Sequence, residues 1–175
     1  MDKLYATILE ACDWTDEVFV EGYRQLMGAV IATKTPLTIY ALKALHNGEA
    51  VALDFVLQQL SPLLTGVGRL EQKKQPVRFL HQSLRDFITL HARVSTETQK
   101  FEIREKEHSQ RLALLCLGVL NRDLKDDIPG TGYLAKDESD VAGVPLLGEG
   151  SISKVLLYAC RFWINHIVDI DICQG

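Results

Sequence analysis

The chain has 175 residues, of which 47% are hydrophobic and 24% charged, and its formal net charge is −4. This length and apolar fraction are enough to bury a hydrophobic core, so the composition excludes a disordered chain. The negative balance gives no overall attraction to nucleic acid or anionic lipid. The longest apolar stretch, near residues 112–120, is far below the ~20 residues of a membrane span, so we expect no membrane partner.

The four cysteines show no pairing pattern. Cys12, Cys116, Cys160 and Cys173 form no CxxC motif, and no leader-like segment opens the sequence. A reducing, cytoplasmic setting is therefore the expectation. Cys116 and Cys160 lie in apolar helical stretches, which predicts inert packing for both thiols.

Helical spacing of apolar residues dominates the start of the chain. A short first helix is predicted to end near Asp13, and either Asp13 or Thr15 is expected to cap the next helix. The second helix is expected to end near Thr33, since its apolar stripe stops there. That stripe consists of Phe19, Tyr23, Leu26, Met27, Val30 and Ile31.

Two short helices joined by a tight turn follow. Thr35-Pro36 predicts a cap with proline at the first helical position, and Asn47-Gly48 predicts the end of that helix. A further helix is expected over residues 51–60, ended by Ser61-Pro62. This arrangement is typical of a helix-turn-helix.

The period then changes to that of strands. Residues 64–70 and 76–80 alternate on either side of a polar run, which predicts a β-hairpin, the wing of a winged helix. Ser83 and Asp86 form a cap-like pair that predicts a helix from Ser83 to Arg93. Phe87 and Ile88 are expected in its core face.

The remaining chain is predicted to be helical around one loop. A charged run from Lys100 to Lys106 is expected to be a solvated face, and the apolar residues from Leu112 to Leu120 predict a central, buried helix. The expected fold class is mainly α. Its expected divisions are a winged-helix domain (helix-turn-helix plus small β-hairpin) over 1–95, a helix over 96–121, a loose loop over 122–150 and a C-terminal helix over 151–175.

Motifs for catalysis and metal binding are absent. The chain has no Gly-Lys dipeptide for a P-loop, no complete dinucleotide fingerprint, no HExxH, no zinc spacing and no Gly-x-Ser-x-Gly. We therefore predict no enzyme activity, no catalytic residue, no metal site and no cofactor for this chain alone.

The predicted second helix of the helix-turn-helix argues against DNA binding. Residues 50–60 contain no Lys or Arg, so that helix offers no phosphate contact. Arg69, Lys73, Lys74 and Arg78 make the predicted wing basic, but lysines on a hairpin also protect a sheet edge. We therefore do not expect nucleic acid as a partner, and a winged-helix nucleic-acid-binding or protein-adaptor domain is the alternative interpretation.

Three ordered stretches point to one family. They are His81-Gln82-Ser83-Leu84-Arg85-Asp86-Phe87-Ile88, the segment from Leu26 to Leu45, and Tyr158-Ala159-Cys160-Arg161-Phe162-Trp163. Together they resemble the winged-helix and adjoining helical segment of NACHT-type NTPases, the NLR-like STAND proteins abundant in fungi. The match covers most of the chain, although Leu84 stands where the family usually has Phe.

The resemblance implies a regulatory, non-catalytic module that couples nucleotide state to oligomerisation in fungal non-self recognition or innate-immunity-like signalling. It implies a nucleotide-binding domain upstream, with ADP or ATP and magnesium, and repeats downstream, acting in cis or in trans. It gives His81 the role of touching the β-phosphate of ADP. From the residues alone, the favoured interpretation of His81 is a histidine that ends a strand and packs on the next helix. A decayed gene product without activity is a further alternative.

Overall fold

The computed structural model describes residues 2–46, 53–67, 75–124 and 152–171. In this part of the chain there are seven α-helices and one two-stranded antiparallel sheet, which confirms the prediction of a mainly helical fold with a small sheet. The turn at Asn47-Gly48, the predicted loop beyond residue 124, and Arg69, Lys73 and Lys74 lie outside the described residues.

The elements have the following bounds: α1 (Asp2–Glu10), α2 (Glu17–Ala32), α3 (Ile39–Leu45), α4 (Leu53–Gln59), β1 (Leu64–Thr65), β2 (Arg78–Phe79), α5 (Gln82–Asp86), α6 (Glu105–Asp123) and α7 (Lys154–Asp171). Helix α5 continues without a break as a π-helical turn over Phe87–His91 and a 3-10 turn over Ala92–Val94. The helical stretch predicted over 83–93 is therefore observed over 82–94. No helix of the described residues is long and apolar enough to cross a membrane.

The cap of α2 differs from the prediction. Asp16 caps this helix by accepting a hydrogen bond from the backbone N–H of Val18, at 2.9 Å. Asp13 instead accepts from both the backbone N–H and the hydroxyl of Thr15, at 3.0 and 2.6 Å, and so forms the preceding turn. Both residues use the same local chemistry of a short acceptor side chain. The end of α2 at Thr33 is as predicted.

The entry into α3 also differs, because tertiary pairing overrides a local signal. The helix does not begin at Pro36; it begins at Ile39, and Thr38 caps it by accepting from the backbone N–H of Ala41 at 3.2 Å. The carbonyl of Leu37 accepts from the N–H of Val77 at 2.8 Å, and Thr38 forms an antiparallel bridge with Pro76. This segment is therefore held extended against the chain that leads into β2.

The sheet positions the start of α5. Leu64 of β1 pairs with Phe79 of β2, and Thr65 pairs with Arg78. Gly66 follows β1 with a φ of 78°, and a Cβ there would lie 2.5 Å from the carbonyl oxygen of Pro76. Glycine is required at this position both for its backbone conformation and for this close approach.

One hydrophobic core joins the predicted winged-helix region to α6 and α7. Its buried residues form a single cluster that includes Tyr23 of α2, Leu112 of α6 and Ala159 of α7. The hydroxyl of Tyr23 donates to the carbonyl of Phe101 at 2.9 Å. Because the core is continuous, α6 and α7 are packed on the preceding helices and not attached to them only through the chain.

Two expectations about burial in the second half hold only in part. The charged residues from Lys100 to Lys106 are exposed or half-buried, as predicted for a solvated face, but the apolar residues among them are not. Phe101 and Ile103, within the charged run, are fully buried, because they point into the core while their charged neighbours form ion pairs on the surface. Helix α6 is buried on one face only: Leu114 and Leu117 are 66% and 40% exposed. The helix has more apolar residues than the helices packed against it can cover, so some of them stay exposed.

Candidate functional site at the start of helix α5

His81 joins β2 to α5 and is exposed on the surface. Its backbone is extended, with φ −144° and ψ 141°, the conformation of a helix N-cap residue. The imidazole Nδ1 accepts a hydrogen bond from the backbone N–H of Ser83 at 3.1 Å. The ring is thus held by the first turn of the helix.

A chain of hydrogen bonds determines the tautomer of His81. The Nδ1 atom lies 2.7 Å from the hydroxyl of Ser83, and that hydroxyl lies 2.7 Å from the hydroxyl of Tyr5 in α1. Since Nδ1 already accepts from an N–H, the Ser83 hydroxyl donates to it, and Tyr5 donates to Ser83. The neutral ring therefore carries its proton on Nε2, which has no partner among the described residues.

The capping role predicted for Ser83 and Asp86 falls to His81 instead. The helix begins one residue earlier than expected, at Gln82, so Ser83 is inside it and its N–H is the group that is capped. Asp86 is the last residue of α5, too far along to form a capping box. The local pattern was ambiguous because an imidazole can replace a hydroxyl as the capping acceptor.

Core packing fixes the rest of this element. Leu84, Phe87 and Ile88 are buried, which confirms the core positions predicted for Phe87 and Ile88. The carbonyl of Ile88 accepts from the N–H of Ile103 at 3.0 Å. The guanidinium Nη2 of Arg85 reaches both carboxylate oxygens of Glu105, at 3.1 and 3.0 Å. The site at His81 is therefore tied to the start of α6 as well as to α1.

The thiols differ from each other in environment. Cys116 is fully buried, and burial raises the pKa of its thiol to about 12, which agrees with the predicted inert packing. Cys160 is exposed, so the same prediction is wrong for this residue. The residues next to Cys160 in the sequence are apolar, which led to the prediction of burial. Cys160 itself lies on the outer face of α7.

The exposed face of α4 carries no cationic side chain. Asp54 of α4 forms an ion pair with Lys43 of α3, which neutralises a cation of the helix-turn-helix region. Arg78 in β2 is exposed. Among residues 2–46, 53–67, 75–124 and 152–171 no group of three or more His, Cys, Asp or Glu side chains is arranged to hold a metal ion.

Sequence reasoning missed two features. The first is Tyr5, whose hydrogen bond to Ser83, 78 residues away, nothing in the local sequence indicates. The second feature is a polar cluster on the buried side of α7, where the hydroxyl of Tyr158 is hydrogen-bonded to His166 Nε2 at 2.8 Å and accepts from the backbone N–H of Lys34 at 3.1 Å. The side chain of Lys34 pairs with Asp169.

Comparisons of this chain with protein-family models, curated proteins and solved structures find no significant match.

Proposed function

We propose that this chain is a non-catalytic regulatory module of a NACHT-type signalling NTPase, in which His81 senses the phosphate of a bound nucleotide. In this proposal, residues up to about 95 form a winged helix, and α6 and α7 form the adjoining helical segment. The module couples nucleotide state to assembly through contacts, and it has no chemistry of its own.

The order of elements supports the winged-helix interpretation. Helix α2, the extended residues at Leu37 and Thr38, α3, α4, β1 and β2 follow one another as in a winged helix. The Thr38 bridge to Pro76 places a third extended segment beside the two strands. The likeness rests on this connectivity and on the three sequence stretches that resemble the family.

The single observation that carries the sensing role is the hydrogen bond from the Ser83 N–H to Nδ1 of His81, from which the tautomer is inferred. Its Nδ1 is occupied by Ser83, so the ring offers one N–H donor, Nε2, on an exposed side of the molecule. A phosphate oxygen accepts such a hydrogen bond well. One hydrogen bond to a charged group contributes about 1.5–3 kcal/mol, or about ten- to hundredfold in affinity.

Two variants of His81 separate sensing from capping. Asparagine places an acceptor near the position of Nδ1, so His81→Asn keeps the cap and removes the Nε2 donor. Glutamine places a donor near the position of Nε2, so His81→Gln keeps the donor and loses the cap. Loss of a cap is expected to lower stability by about 0.5–2 kcal/mol.

The test requires the transcript that encodes this chain to be sequenced, and the protein with any in-frame nucleotide-binding domain to be purified. Release of fluorescent ADP is then measured by stopped flow. We expect about ten- to hundredfold faster release for His81→Asn and near wild-type release for His81→Gln. The control is His91→Asn, which changes an exposed histidine that pairs with Asp2.

The proposal is wrong if His81→Asn releases ADP at the wild-type rate, or if no nucleotide-binding domain accompanies this chain in cis or in trans. Salt-dependent binding of duplex DNA by the purified chain, lost on neutralising Arg69, Lys73, Lys74 and Arg78, would support the adaptor alternative instead.

A further inference from the structure

A groove of about 540 Å³ lies between the segment that follows α2 and the outer face of α7. Leu37, in the segment after α2, lines one side of the groove. The other side is lined by residues of α7, namely Lys154, Leu157, Arg161 and Phe162. This helix carries the Tyr-Ala-Cys-Arg-Phe-Trp stretch, for which the proposed nucleotide sensing gives no role. The groove shares no residue with the site at His81, so a role for it does not depend on the proposed function.

The groove is cationic although the chain as a whole is acidic. Lys154 and Arg161 are seven residues apart on α7, which places them about 10.5 Å apart along the helix axis. Neither side chain forms an ion pair with another described residue, whereas the nearby Lys34 is paired with Asp169. No carboxylate lines the groove among the residues that the structure describes.

Apolar surface lies between the two cations. Leu157 is 52% exposed, and Leu37 and Phe162 extend the apolar lining. The ring of Tyr158 forms part of the groove, and its hydroxyl is fixed by His166 and the backbone of Lys34. The surface is thus rigid at its base, which lowers the entropy lost when a partner binds.

We propose that this groove binds an acidic peptide segment of a partner protein in extended conformation. In polyproline II conformation, an extended form with three residues per turn and a rise of about 3.1 Å per residue, carboxylates three residues apart lie on the same side about 9 Å apart, close to the axial separation of Lys154 and Arg161. The side chains between them would cover Leu157 and Phe162. Charge complementarity and the apolar centre together define the partner chemistry: two acids flanking apolar residues.

The probe is an N-acetylated, C-amidated peptide, Gly-Glu-Leu-Val-Glu-Gly, and its matched control is Gly-Gln-Leu-Val-Gln-Gly. Cys160, which is exposed in the groove, provides a local readout. Its alkylation by iodoacetamide is followed by mass spectrometry, with Cys12 as an internal reference. We expect the glutamate peptide to slow alkylation at Cys160 saturably, and the glutamine peptide to bind more weakly.

The double variant Lys154→Glu/Arg161→Glu is expected to raise the Kd of the glutamate peptide about tenfold or more. The variant loses the free energy of two exposed ion pairs and replaces each attraction with a repulsion. Each variant is compared with its own rate in the absence of peptide. Lys154→Gln/Arg161→Gln, a milder pair, should give an intermediate Kd. Arg93→Glu reverses an exposed cation outside the groove and should leave the Kd unchanged.

Several results would overturn the proposal. They are equal protection of Cys160 by both peptides, absence of protection by the glutamate peptide, and an effect of Arg93→Glu as large as that of the groove variants. Equal protection would mean an apolar groove without charge recognition. Circular dichroism of each variant shows that the fold is kept.

Discussion

The environment of His166 in α7 shifts the pKa of its imidazole. It is fully buried, its Nε2 is hydrogen-bonded to the hydroxyl of Tyr158, and its Nδ1 has no hydrogen-bond partner in the described part of the chain. Burial, followed by the positive charge of Lys34, lowers the pKa of this imidazole from 6.5 to about 4, while Asp169 opposes the shift. The folded protein therefore holds His166 neutral.

This burial predicts a loss of stability in mild acid. The unfolded chain takes up a proton on His166 below pH 6.5, whereas the folded chain does so only near pH 4. Stability is fully present above pH 6.5 and falls as the pH drops from 6.5 to 4, by up to about 3 kcal/mol from this residue. Urea unfolding across this range measures the slope.

The variant His166→Gln isolates this contribution. The glutamine amide can donate to or accept from the Tyr158 hydroxyl and does not titrate, so the stability of this variant should fall less steeply between pH 6.5 and 4. His91→Gln, a change at an exposed histidine, serves as control. A His166→Gln profile parallel to wild type would show that this residue does not drive the acid sensitivity.

At the scale of elements, the contact of α2 with α6 depends on the absence of a side chain. A Cβ at Gly28 of α2 would lie 2.0 Å from Nδ1 and 2.2 Å from Cγ of His108 in α6. A Cβ at Gly118, which is an exposed residue of α6, would meet no other atom within 4 Å. The two glycines therefore differ only in what surrounds them.

We expect opposite signs for alanine at these two positions. Gly118→Ala should stabilise the protein by about 0.5–1 kcal/mol, because alanine loses less backbone entropy in a helix. Gly28→Ala should destabilise it by about 1–2 kcal/mol, because the overlap with His108 exceeds that gain. Urea denaturation of both variants gives the two free energies of unfolding.

A double-mutant cycle checks the cause. In a His108→Ala background the ring is gone, so adding Gly28→Ala should no longer destabilise the protein. If Gly28→Ala is equally harmful with and without the ring, the close approach of α2 and α6 is not limited by His108.

At the scale of the whole molecule, the continuous core predicts a single unfolding transition. The two tryptophans of the chain lie in different regions: Trp14 packs against Phe19, Tyr23 and Phe101, and Trp163 is in α7. Trp14 therefore reports on the part of the chain before the domain boundary predicted near residue 95, and Trp163 reports on the part after it.

The variant Trp14→Phe leaves Trp163 as the only tryptophan and also weakens the first region, since the Trp14 indole donates to the Leu9 carbonyl at 2.7 Å. We expect the midpoint reported by Trp163 fluorescence to fall together with that of far-UV circular dichroism. If the Trp163 transition of this variant keeps the midpoint of the wild-type protein, α7 unfolds independently.

Much of the secondary structure was available from local sequence. The stripe from Phe19 to Ile31 predicted α2 with its end, because helical period and chain ends are properties of neighbouring residues. The same reasoning predicted the alternation of β1 and β2 and the helices near α6 and α7. It misplaced the start of α2 because Asp13 and Asp16 competed as caps, that of α3 because tertiary pairing holds Thr38 extended, and that of α5 because an imidazole is the cap. It also began the helix of α6 at residue 96, whereas α6 begins at Glu105.

The sequence by itself determined a mainly helical chain with a small antiparallel sheet, a histidine next to the start of a helix, and an apolar C-terminal helix. Only the tertiary structure decided the hydrogen bond between Tyr5 and Ser83, the extended form of Thr38 and the burial of His166. These depend on partners such as Tyr5 and Tyr158, which are 78 residues from Ser83 and 124 from Lys34 along the chain. Local patterns carry no record of such pairings, because they form only when distant elements pack together.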